Sequence, residues 1–211
     1  MNYIPSYASE IYYYLNARKI FEKFFPDKTV KVLSLGCGCG PDLMAIIKYQ
    51  EKINPKLTFT YKGIDLSPLW KDIRNTYPSA SFVERDLTLG FSLKGYDVIF
   101  LVKIFSTLYK NKVHQPFIDI LRKKINEEMS DNAILIYNDI NSCYMGRDVF
   151  DVSVKDLFSK VGYYYFPVNG AHTESRYRAL SQNGNIFKIP DGLSINPLRE
   201  IRNTVFFEYH K

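Results

Sequence analysis

Residues Lys31 to Ile47 read KVLSLGCGCGPDLMAII: an apolar strand, three glycines at alternate positions, a proline, an acid, then an apolar helix. Gly36, Gly38 and Gly40 carry no side chain, so the backbone can turn tightly there and a ligand can lie against it. Pro41 suits a first helical position, because the N–H it lacks would have had no partner. Asp42 in the same turn complements the positive end of the helix. The stretch predicts a strand, Lys31 to Leu35, then a glycine loop and a helix running to about Lys52, broken by Asn54-Pro55.

Downstream, the strand–helix alternation repeats. Leu57 to Ile64 reads as a second strand closed by Asp65, with a turn and helix starting at Ser67-Pro68. Ser79 to Glu84 is a third strand, with Asp86 just beyond it. Tyr96 to Val102 is a fourth, and its near-continuous apolar run suits a strand covered on both faces. Val113 to Met129 is expected to be helical, Ala133 to Ile140 a fifth strand, and Val154 to Val161 a helix. Tyr163 to Val168 and Thr204 to Tyr209 then read as two strands without a helix between them. They flank a loop-rich insertion, Asn169 to Asn203. The pattern predicts an α/β, Rossmann-like doubly wound sheet, mostly parallel with one antiparallel edge strand. Ligands of such sheets bind beyond the carboxyl ends of the strands, where the glycine loop, Asp65 and Asp86 all fall.

Upstream, Ser6 to Phe25 reads as one amphipathic helix capped by Ser6 or Ser9, within an N-terminal helical cap of residues 1–29. At 211 residues the chain is read as a single domain, residues 1–211. Apolar residues at 46% set it apart from disordered and fibrous chains. A net charge of +6 admits an acidic partner such as nucleic acid without requiring one. Three cysteines, Cys37, Cys39 and Cys143, lack disulfide or metal-ligand spacing, which suits a reducing cytoplasm and gives no expected metal site. No signal-like segment and no apolar run of membrane-spanning length is present, so a cytoplasmic chain with no membrane partner is expected.

Taken in order, VLSLGCGCG, GIDLS, VERDLT and YDVIFLV resemble the motif set of class I S-adenosylmethionine-dependent methyltransferases, over roughly Val30 to Ile140. The resemblance implies S-adenosylmethionine as cofactor and methyl transfer to an acceptor, a small molecule or RNA. It places Gly36, Cys37, Gly38 and Gly40 against the methionine and ribose, and Asp65 with Leu66 at the ribose hydroxyls. Asp86 with Leu87 would face the adenine edge, and Val102 would border the methyl end. A carboxylate has two acceptor oxygens, which suits a vicinal diol. Should a proton have to leave the acceptor, the candidates are Asp139, Lys103 and, from the insertion, His172.

One position departs from the family: the acid usual two residues before the first glycine is Ser34 here. The segment after the fourth strand, Val102-Lys103-Ile104-Phe105, is not the Asn/Asp-Pro-Pro-aromatic motif of adenine amino methyltransferases. There is no Pro-Cys pair of the cytosine-5 type either. Two alternatives stand beside the enzyme reading. One is a degenerate subunit, suggested by Ser34. The other is an NAD-type dinucleotide binder, although G-x-G-x-G is not the usual G-x-G-x-x-G.

Overall fold

The structure is a computed structural model that describes residues 3–167, 175–182, 184, 186–187 and 203–211. The glycine stretch folds as expected: β1 (Val30–Leu35) leads through the loop into α3 (Pro41–Lys52), with Pro41 in the first turn. Two helices precede it, α1 (Ile4–Arg18) and α2 (Ile20–Phe24). After it come β2 (Phe59–Asp65), α4 (Lys71–Arg74), β3 (Ala80–Glu84) and β4 (Val98–Val102). The chain continues through α5 (Phe105–Lys110), α6 (His114–Glu128), β5 (Ile134–Ile140) and α7 (Arg147–Val154). Last come β6 (Lys160–Tyr165), β7 (Arg178–Ala179) and β8 (Thr204–His210).

The eight strands form one sheet in the order β3-β2-β1-β4-β5-β8-β6-β7. β8 runs antiparallel to both β5 and β6, and the other pairings are parallel. The antiparallel strand therefore lies toward one edge, with β6 and the two-residue β7 beyond it. β4 is buried at every residue, as its unbroken apolar run requires of a strand covered on both faces. One face carries α1 and α3, which pack on each other and bury Ile11, Tyr14, Leu43 and Ile46 with Val32, Phe100 and Phe206 of the sheet. The other face buries Phe117, Leu121 and Ile125 of α6 and Phe150 of α7 against Leu33, Ile99 and Leu135.

Three expectations are corrected. The single helix Ser6 to Phe25 is two helices, because Lys19 takes a left-handed conformation (φ 53°) and its N–H closes on the Leu15 carbonyl at 2.8 Å. Neither Ser6 nor Ser9 caps the helix: it starts at Ile4, and the Ser9 hydroxyl donates back to the Pro5 carbonyl at 2.6 Å. The helix expected at Val154 to Val161 lies earlier, as α7, because Phe150 and Val154 at i, i+4 spacing are the apolar pair that reaches the core. A single 3-10 turn follows, and the chain is in β6 by Lys160. The expected insertion Asn169 to Asn203, with His172, lies mostly outside the described residues. Its described part supplies β7, and Arg176 in the preceding turn reaches the buried Asp151 of α7 at 3.1 Å. Arg176 is thus tied down as part of the fold.

Candidate functional site

The parallel register aligns Leu35 with Ile64 on β2 and with Leu101 on β4, so three carboxyl ends open at one level. This is also the switch point, where the sheet order turns from β1 toward β2 on one side and β4 on the other. The glycine loop starts there. Gly36 N–H donates to the Ile64 carbonyl at 2.7 Å and Cys37 N–H to the same oxygen at 3.1 Å. Gly36 has φ +71°, and a Cβ placed there would lie 2.5 Å from Ile104 Cγ1, so the segment after β4 rests directly on the glycine turn.

Asp65, the last residue of β2, reaches under the loop. Its Oδ2 accepts the Gly38 N–H at 2.8 Å and its Oδ1 accepts the Ser67 N–H at 2.8 Å. Arg74 of α4 places Nη2 3.2 Å from Asp65 Oδ1 and donates from Nε to the Gly38 carbonyl at 2.9 Å. Asp86 follows β3 beside it: β2 and β3 pair Asp65 with Glu84, and the Arg85 N–H donates to the Asp65 carbonyl at 3.0 Å. Asp86 caps a one-turn 3-10 helix, accepting Thr88 N–H at 2.8 Å and Thr88 Oγ1 at 2.7 Å, both on Oδ1. Among the described residues nothing hydrogen-bonds its Oδ2. Leu87 is buried next to it, whereas the Leu66 side chain is 61% exposed. The Cys37 thiol is buried against Gly63, where a Cβ would stand 2.6 Å from Sγ, and burial raises its pKa.

Beneath the loop lies a buried acid that sequence reasoning placed only at a helix end. Asp42 is fully buried, and its Oδ1 accepts the Tyr61 hydroxyl at 3.0 Å. Burial pushes its pKa up to about 6, against the pull of the Ser34 and Tyr61 hydroxyls and of backbone amides. Ser34 Oγ and Asp42 Oδ2 are both buried without a well-aligned hydrogen bond. A raised acid pKa favours the folded state below the unfolded value of 3.8, an advantage lost as pH rises through about 6. The shift corresponds to about 3 kcal/mol at neutral pH. Asp42→Asn, which keeps one oxygen for Tyr61, is therefore expected to gain stability relative to the wild type between pH 4.5 and pH 7.5. Melting curves of the two proteins across about that range check it; a difference that does not change with pH would remove Asp42 as the titrating group.

At the methyl end expected from the motifs, Val102 is buried at the end of β4, and Lys103 follows in a left-handed conformation (φ 55°). Its Nζ lies 2.7 Å from Glu10 Oε1 of α1, donates to Thr204 Oγ1 at 2.6 Å and sits 5.1 Å from the centre of the Tyr7 ring. Burial raises the Glu10 pKa, and the charge of Lys103 partly offsets it. Asp139 is also buried and raised by desolvation, again offset by Lys103. Both Asp139 oxygens are already held, Oδ2 by the Ser106 N–H at 2.9 Å and Oδ1 by the Ile140 N–H at 2.8 Å. Asp139 thus fixes the start of α5. Three residues here escaped sequence reasoning: Glu10, Arg74 and Ile104. Glu10 left a trace, being an acid four residues before Tyr14 on the buried stripe of a helix; Arg74 and Ile104 left none.

No protein-family model and no curated protein matches the sequence. Solved structures do. The chain superposes on the CurJ carbon methyltransferase with a TM-score of 0.55 at 15% identity, covering 92% of this chain and 52% of that one. On the plantazolicin methyltransferase BamL, solved with a triazolic desmethylPZN analog and SAH, the TM-score is 0.52 at 15% identity, covering 98% and 85%. A TehB-like SAM-dependent methyltransferase from Corynebacterium glutamicum gives 0.51 at 16% identity, covering 94% and 93%. The fold is that of the class I methyltransferases. The methyltransferase fold accounts for the sheet order and the single antiparallel strand. The chain spans about half the length of CurJ.

Proposed function

We propose that this chain is an S-adenosylmethionine-dependent methyltransferase. The observation that carries the proposal is the join between the glycine loop and Asp65, the Gly38 N–H to Asp65 Oδ2 bond at 2.8 Å, located at the switch point of the sheet. The residues present fit the cofactor. Asp65 keeps a lone-pair direction on Oδ2 for a ribose hydroxyl, and Asp86 Oδ2 is left for the adenine amine. Gly36, Cys37, Gly38 and Gly40 line the cradle, with Leu66, Leu87 and Val102 at its borders. When bound, the sulfonium cofactor supplies a methyl group that is already activated. The protein then has mainly to hold an acceptor in line with it, which supplies about 7–11 kcal/mol of the barrier.

Lys103 is the side chain we place beside the acceptor, because Glu10, Thr204 and Tyr7 hold its ammonium at the carboxyl edge of β4. We keep Asp139 as a support for α5, since backbone amides already occupy its oxygens. We take the acceptor to be a small molecule, a choice supported by the plantazolicin methyltransferase BamL having been solved with a triazolic desmethylPZN analog. The degenerate-subunit alternative is weakened by Asp42, which puts a carboxylate beneath the loop next to Ser34.

Calorimetric titration of the full chain with S-adenosylhomocysteine, with NAD as comparator, tests the reading. Saturable heat with S-adenosylhomocysteine and none with NAD is expected; the reverse would overturn it. No heat with either ligand would leave the enzyme reading without its cofactor and favour the subunit.

A further inference from the structure

The Asp65 carboxylate is crowded before any ligand arrives. Of its roughly four lone-pair directions, the Gly38 N–H takes one, the Ser67 N–H a second, and the Arg74 guanidinium lies against a third. The same guanidinium grips the loop from behind, through Nε to the Gly38 carbonyl at 2.9 Å. Gly38 and Asp65 are thus joined twice, once directly and once through Arg74, in a closed ring. Arg74 is 7% exposed, its Cζ lies 5.8 Å from the centre of the Phe82 ring, and its Nη2 is buried without a well-aligned hydrogen bond. α4 has only four residues, so helix propensity alone does not explain why a long cation is buried at its end. A fully charged planar fork is costly to bury unless its donors meet fixed acceptors, and here both acceptors belong to the ligand cradle.

We propose that Arg74 is a positioning residue for the cofactor, one that locks the Asp65 carboxylate and the Gly38 peptide into the geometry that receives the ribose. The inference rests on the proposed cofactor reading. It predicts that Arg74 tunes affinity without touching the ligand, because an unclamped Asp65 must be ordered at the expense of binding.

Titration with S-adenosylhomocysteine of the wild type, Arg74→Met, Arg74→Lys and the double variant Asp65→Asn/Arg74→Met decides it, with circular dichroism and melting curves on each. Methionine keeps the stem on Phe82 and removes the fork. The dissociation constant is expected to rise at least about tenfold for Arg74→Met, with Arg74→Lys in between, since lysine keeps a charge for Asp65 but lacks the planar fork that fixes Asp65 and the Gly38 carbonyl in one geometry. In the Asp65→Asn background the same change is expected to cost less than about threefold, because the two residues act as one unit. Wild-type affinity in a folded Arg74→Met, or effects that simply multiply, would overturn the proposal while leaving the cofactor reading intact. Should Arg74→Met not fold, Arg74→Lys decides alone, with unchanged affinity counting against the clamp. Absence of binding in the wild type would instead remove the cofactor reading, and the clamp with it.

Discussion

Asp65→Ala is expected to weaken S-adenosylhomocysteine binding by about a hundredfold, the largest functional effect of any single change proposed for this chain. The carboxylate accepts two backbone N–H bonds and pairs with Arg74. Hydrogen bonds to a charged group contribute about 1.5–3 kcal/mol each. Loss of a ribose contact together with loss of loop order therefore amounts to about 3 kcal/mol, or two decades in affinity. The sheet should persist: β2 pairs over six residues, Phe59 to Ile64, with β1 and over five residues with β3, and none of those pairings uses the Asp65 side chain. The check is calorimetry beside circular dichroism. A folded variant with unaltered affinity would take Asp65 out of the site and leave the Gly38 bond as a purely structural join.

The fold was legible where one segment carries its own signal. β4 and β5 are apolar runs that only a covered strand can use, and the structure places them within a residue or two of the expected bounds. The order of glycine loop, Asp65 and Asp86 was legible because each closes its own strand, and parallel register brings strand ends to one level. What stayed hidden depends on residues far apart in sequence. Arg74 and Ile104 acquire meaning only when α4 and the segment after β4 close on Gly38 and Gly36. The break at Lys19 was masked because apolar residues on both sides continue the helical spacing, while the backbone turns left-handed between them. His210, two residues beyond Glu208 on β8, places Nε2 2.7 Å from that carboxylate, whose burial comes only when β8 enters the sheet.

That carboxylate carries the largest expected effect on stability. Glu208 is 1% exposed on the face of β8 that meets α1. It accepts the Tyr14 hydroxyl at 2.8 Å and both Arg18 Nε, at 2.8 Å, and Nη2, at 3.0 Å. Tyr14 also stacks on Phe206 with centroids 4.3 Å apart, so one helix face is held to β8 by both rings and charge. Removing one partner of a buried pair leaves the other charge stranded, at about 3–5 kcal/mol. Glu208→Ala should thus lower the melting temperature by about 10 °C, at about 2–4 °C per kcal/mol for a chain of this size.

The pH dependence carries a sign of its own. Burial alone would raise the Glu208 pKa, but hydrogen bonds from His210, Arg18 and Tyr14 outweigh it and hold the value at about 2, below the ordinary 4.5. Stability from this group is therefore present above about 4.5 and is lost as pH falls toward about 2. The gap in melting temperature between the wild type and Glu208→Gln should narrow steadily below pH 4.5; a gap independent of pH would show that packing of α1, not the charge, sets the effect. Because Glu208 pairs across to Ile136 on β5 while Thr204 pairs with Ile140 at that strand's carboxyl end, it lies away from the glycine loop. α1 is thus pinned at its carboxyl end by Arg18 to Glu208 and near its middle by Glu10 to Lys103, and only the second pin borders the site. Loss of the first should cost melting temperature and leave affinity for S-adenosylhomocysteine intact, the reverse of the pattern expected for Asp65.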